Sequence, residues 1–116
     1  MYKKGFVSGV SLVFVVSAIA YFPGIVVAKE AKIDPMKLYI QHCSDCHDKN
    51  GKPTELGAGL ESTDFTDKNW QTSTTDEKII NQIADGTPEK MMPFKEKLNP
   101  DEIKALVPVL RSFAKK

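Results

Sequence analysis

Five consecutive residues carry the chemistry of this chain: Cys43, Ser44, Asp45, Cys46 and His47. Two cysteines separated by two residues, with a histidine directly after the second, make the C-x-x-C-H pattern of c-type haem attachment. The spacing meets a geometric demand. Two thiols must reach two vinyl groups along one porphyrin edge and form thioether bonds. The next residue must then place an imidazole nitrogen on the iron, for which neutral histidine is a good ligand. Other chemistries fit these residues less well. A redox dithiol belongs to a βαβ setting, and the chain shows no such pattern. Zinc takes four ligands, and His42, Cys43, Cys46 and His47 are too close together for an easy tetrahedron. A Cys43–Cys46 disulfide would close a loop too small to constrain much.

A second stretch, Thr87 to Leu98, reads Thr-Pro-Glu-Lys-Met-Met-Pro-Phe-Lys-Glu-Lys-Leu. Its prolines forbid regular structure. A methionine in such a loop can present its thioether sulfur to the far side of an iron, and Met/His ligation raises the reduction potential. By residue type alone a loop methionine is more often packing than ligand. Trp70 is the only tryptophan. Its indole N–H suits a haem propionate, or the ring serves as plain packing.

Helices must position these residues. Asp34-Pro35 starts one, with Asp34 as N-cap, and Met36, Tyr39, Ile40 and Cys43 follow at helical spacing. This helix is expected to end near Cys46-His47. Asp48 to Gly59 reads as loop, marked by Asn50-Gly51 and by Pro53, Gly57 and Gly59. Leu60 and Phe65 are available to cover a porphyrin edge, and Asp64 to Trp70 fits one short helical turn. Thr74 and Glu77 fit a capping box for a helix carrying Ile79, Ile80 and Ile83, closed by Gly86. Asn99-Pro100 with Glu102 starts the last helix, which carries Ile103, Leu106, Val107, Leu110 and Phe113. Pro108 should kink it. The expected fold class is all-α: three main helices plus a short helical turn. Loops this long need a cofactor to organise them.

The chain has 116 residues, enough for one small domain. Lys3 and Lys4 precede an apolar run, and Val26-Val27-Ala28 offers a cleavage site. Residues 1–28 therefore read as a signal peptide or an uncleaved membrane anchor, since the uncharged span 5–28 is long enough to act as a membrane tether. Either way the remainder is exported, to the periplasm. Residues 29–33 read as a linker and 34–116 as the folded domain. Without residues 1–28 the chain has 14 basic and 15 acidic side chains, a balance that offers nothing to nucleic acid.

Residues 34–116 resemble the small monohaem class I cytochromes c of bacteria. The likeness rests on Leu38-Tyr39 leading to Cys43-Ser44-Asp45-Cys46-His47, then Asp64-Phe65-Thr66-Asp67 with Trp70. It continues through Thr75-Asp76-Glu77, Ile79-Ile80, Gly86 and Met92-Pro93-Phe94-Lys95, and ends with Glu102-Ile103 and Arg111-Ser112-Phe113. The resemblance implies one covalent haem c on Cys43 and Cys46, with the helices wrapped around it and the first and last helices packed together. It implies His47 as proximal ligand and Met92 as distal ligand, with Met91 the alternative. Two positions depart from the pattern. Val109 stands where an aromatic residue is common, and Ala58-Gly59 where a proline is. The backbone group that braces the proximal histidine is thus left open.

The function these features imply is electron carriage, not enzyme catalysis, by iron cycling between ferrous and ferric states. Redox partner proteins would dock at the haem edge, where Lys90, Lys95 and Lys97 could form a basic rim. The runner-up is an electron-entry subunit of a larger exported dehydrogenase or oxidase. An open sixth site would instead mean a haem enzyme or gas sensor, and free thiols without haem a thiol oxidoreductase.

Overall fold

The computed structural model describes residues 30–114, together with Gly5, Gly9 and Gly24. The chain divides into two units, 1–30 and 31–116. The expected export segment or tether falls on the first and lies outside the described residues. No described helix is long and apolar enough to cross a membrane.

The second unit carries five helices: α1 Pro35–His42, α2 Glu55–Gly59, α3 Lys68–Ser73, α4 Asp76–Asp85 and α5 Pro100–Ser112. Among the described residues there is no strand, only two isolated bridges, His47 with Pro53 and Thr87 with Met91. The mostly helical reading holds, and its details change. Two short helices replace the single expected turn. The span expected to be loop contains α2, because Thr54 caps it by accepting from the Gly57 N–H at 3.0 Å. α1 stops at His42 instead of running to Cys46-His47. The motif then turns tightly, with the N–H groups of Cys46 and His47 both donating to the Cys43 carbonyl.

The cap of α4 also shifts by one residue. Thr75, not Thr74, accepts from the Lys78 N–H. Thr74 instead closes α3, and its carbonyl is taken by Arg111 Nη2 at 2.6 Å. α1 and α5 start as expected: Asp34 accepts from the Lys37 N–H, and Asn99 and Glu102 form a full capping box. α5 continues through Pro108 to Ser112. Pro108 and Lys104 are both exposed, so the carbonyl that Pro108 leaves unpaired meets water.

α5 packs against both α1 and α4, which is the first-to-last helix contact the resemblance implies. Tyr39 and Leu106 are wholly buried at its centre. Ile79 and Ile83 of α4 and Ile103, Val107, Val109 and Leu110 of α5 complete the core with Phe65, Phe94 and Leu98. Burying one such side chain contributes about 1.5–3 kcal/mol. The helices thus hold a frame from which the motif turn and the methionine loop project.

Candidate functional site

A cavity of about 280 Å³ lies beside this core. Its wall is mostly apolar, with Tyr39, Leu60, Phe65, Trp70, Ile79 and Leu106 among its residues. Cys43, His47 and Met91 stand in the same wall. Leu60 and Phe65, expected to cover a porphyrin edge, both line this cavity.

The motif turn is fixed from several sides. Thr54 donates its hydroxyl to the Asp45 carbonyl at 2.6 Å and its N–H to the Cys46 carbonyl at 3.0 Å. Gly57 presses against that same carbonyl, and a Cβ there would overlap it. Tyr39, reaching from α1, donates its hydroxyl towards the carbonyls of His47 (3.0 Å) and Asp48 (2.8 Å). Burial holds its phenol protonated well above the ordinary range.

Cys43 and Cys46 are both free thiols in this structure. Burial, and then the neighbouring Cys46, push the Cys43 thiol up to about 11. Cys43 lines the cavity, whereas Cys46 sits outside the wall and is partly exposed. His47 is 9 % exposed and stacks on Phe65 with ring centroids 4.5 Å apart. Burial lowers its pKa and outweighs the Thr63 backbone, which acts in the opposite direction. Burial thus favours the neutral imidazole, the form that binds a metal. Its Nδ1 is buried with no hydrogen-bond partner. Thr63, rather than Ala58, is the backbone neighbour of this ring.

The methionine loop is equally constrained. Gly86, at φ +65°, ends α4 against the backbone of Met91 and Met92. Thr87 and Met91 then exchange backbone hydrogen bonds at 2.8 and 2.9 Å. Successive residues of extended backbone point to opposite sides. Met91 lines the cavity and also an adjoining surface groove, and Met92, 57 % exposed, lines the groove alone. The structure therefore brings Met91 together with Cys43 and His47, and leaves Met92 outside.

The three rim lysines differ. Lys90 pairs with Glu61 and holds its carboxyl below the usual range. Lys95 pairs with Asp85 at 3.1 Å. Lys97 lies 5.8 Å from the centroid of the Phe94 ring and 3.4 Å from Met92 Sδ. Sequence reasoning passed over Gln82, which also lines the cavity. Its position between Ile79 and Ile83, on the apolar face of α4, was the available signal.

These residues fit a covalent haem. A buried imidazole whose Nδ1 has no partner and a thioether, both known haem-iron ligands, share a mostly apolar cavity with a thiol that could attach the porphyrin. Comparison with known proteins agrees. Residues 31–108 match the family described as cytochrome C oxidase, cbb3-type, subunit III. The solved structure named KustC0563 c-type cytochrome is 63 % identical, with a TM-score of 0.71, over 72 % of this chain and 100 % of that one. A mutant of that protein matches at 62 % identity and a TM-score of 0.68, over 70 % of this chain and 99 % of its own. A search of curated proteins found no match.

Proposed function

The chain belongs to the family described as cytochrome C oxidase, cbb3-type, subunit III, and from that premise we propose that it is a periplasmic single-haem electron carrier, with His47 and Met91 as axial ligands. The family's cofactor is covalently bound haem c, and Cys43 and Cys46 have the spacing that attaches it. When bound, haem c supplies a one-electron couple.

The rest is the work of the chain's own residues. The Cys46-His47 turn, held by Thr54, Gly57 and Tyr39, positions the imidazole. The loop from Gly86 to Pro93 fixes the sulfur. The apolar wall excludes water and lowers the local dielectric. With His47 and a methionine both holding the iron, no open position would be left for a substrate, which suits a carrier.

The observation that carries this reading is that His47 and Met91 line one cavity while Met92 stands outside it. A visible spectrum of the exported protein tests it. We expect a c-type spectrum with a weak long-wavelength sulfur-to-iron band in the oxidised form. That band is lost in Met91→Ala and kept in Met92→Ala. Survival of the band in Met91→Ala refutes the ligand assignment. A high-spin spectrum that shifts with carbon monoxide refutes the closed site. Recovery of the protein in the cytoplasmic fraction refutes the periplasmic location.

The family description favours a second reading, an electron-entry subunit held in a larger oxidase. Stable co-purification with other subunits would select it. For partner docking, Lys97 is the strongest rim candidate, since Lys90 and Lys95 are offset by Glu61 and Asp85. Lys97→Glu should slow reduction at low ionic strength more than Lys95→Glu does. Equal rates would remove the rim from the account.

A further inference from the structure

Two backbone positions beside the cavity carry glutamate where glycine is the ordinary choice. Glu61 is the first. It follows α2 in a Schellman turn: its N–H donates to the Ala58 carbonyl at 3.1 Å, and the Ser62 N–H donates to the Gly57 carbonyl at 2.8 Å. That turn needs the left-handed region at Glu61, whose φ is +58°. Glu89 is the second. Thr87 to Lys90 form a tight turn, closed by the Lys90 N–H on the Thr87 carbonyl at 3.1 Å. Pro88 holds the second position of this turn and Glu89, at φ +62°, the third, where a positive φ favours glycine. A side chain costs free energy at both places. The two turns are joined, because Lys90 at the end of one pairs with Glu61 of the other. Both residues line the cavity, yet their side chains are 48 % and 72 % exposed, so the pair lies at the cavity mouth.

We propose that the Lys90–Glu61 pair is a strap over the mouth of the haem cavity, which holds the methionine loop against the turn after α2 and slows the opening through which a small ligand reaches the iron. The inference rests on the reading that a methionine of this loop holds the iron, and either Met91 or Met92 serves. Lys90 directly precedes both in sequence. Its turn is tied to Met91 by the paired Thr87–Met91 bonds, so turn and methionines lift as one piece. Glu61 is fixed to α2 by its own backbone bond and gives that piece a stationary anchor. An exposed pair is weak, because water and salt compete for it. The strap therefore sets how often the loop lifts without locking it, and it yields to added salt.

The experiment adds imidazole to the oxidised, haem-loaded protein in a stopped-flow instrument and follows loss of the sulfur-to-iron band as imidazole displaces the thioether. At saturating imidazole the observed rate is the rate at which the loop opens. Glu61→Gln and Lys90→Met each keep the bulk and remove one charge, and each should raise that rate about two- to five-fold. The double variant should be no faster than either single one. The charge swap, Glu61→Lys with Lys90→Glu, should return the rate towards the parent value. Added salt should speed the parent and leave the double variant nearly unchanged. Glu61→Gly relieves the backbone, so its denaturant midpoint should rise while opening still quickens, a pairing that a purely structural role does not give. Parent rates in both single variants, or single effects that multiply in the double variant, overturn the inference. If a variant does not retain haem, the parent decides: an opening rate independent of salt overturns the inference. An oxidised parent without the sulfur-to-iron band removes the methionine reading and the inference with it. The band present, with opening rates unmoved by the substitutions, removes the inference alone.

Discussion

Tyr39→Phe isolates one hydroxyl at the junction of core and site. The ring is wholly buried and packs against Phe113 with centroids 5.2 Å apart, and phenylalanine keeps that packing. What is lost is the donor shared by the carbonyls of His47 and Asp48. The Asp48 carbonyl keeps a partner, since it also accepts from the Gly51 N–H at 2.8 Å. The buried carbonyl of His47 is the group left stranded. Leaving a buried acceptor unsatisfied costs about 1–3 kcal/mol, and the variant should lie near the middle of that range. For a domain of this size a loss of about 2 kcal/mol lowers Tm by roughly 8–16 °C. Guanidinium denaturation of the haem-loaded protein, followed by circular dichroism and the Soret band together, measures it. The midpoint should fall with an unchanged slope, because the surface exposed on unfolding is the same. A loss under about 0.5 kcal/mol, the ordinary range for a neutral surface change, would show that the hydroxyl carries no structural weight and would refute the argument.

The same phenol makes stability depend on alkaline pH. Its folded pKa is raised by burial, so the unfolded chain ionises first, near pH 10. The contribution is fully present below that pH and is lost as pH rises towards the folded value; denaturation midpoints between pH 9 and 11.5 should fall more steeply in the parent than in Tyr39→Phe. Gly57→Ala should sharply reduce the yield of haem-loaded protein, read as the ratio of Soret to protein absorbance, because its Cβ would displace the Cys46 carbonyl. Arg111 donates to the carbonyls of Gln71 (2.8 Å) and Thr74 (2.6 Å) and to Asp76, tying α5 to the junction of α3 and α4. Arg111→Lys keeps the charge and loses the fork, and should cost about 2 kcal/mol in a denaturant titration; full rescue by lysine would mean that charge alone matters.

The legible parts of this chain were those in which chemistry and local physics coincide. Cys43, Cys46 and His47 are adjacent in sequence, and their spacing is itself the chemical requirement. Asp34, Asn99 and Gly86 are read from rules that involve only the next few residues. α2 was hidden because Gly57 and Gly59 signal a loop, while the helix exists to carry Thr54 and Gly57 onto the Cys46 carbonyl, a tertiary demand. The cap of α4 moved from Thr74 to Thr75 for a similar reason: Arg111, far along the chain, claims the Thr74 carbonyl.

The pair Met91 and Met92 shows where local reasoning stops. Residue type cannot rank them, and only Met92 stands directly before Pro93. What separates them is parity along an extended backbone, and parity is set by Thr87, through its paired bonds to Met91, and by Gly86, through its positive φ. A one-residue slip of that pairing would turn Met92 inward and carry Met91 out to the position beside Lys97. Which methionine lines the cavity is therefore decided by these few contacts, none of which is a feature of the methionines themselves.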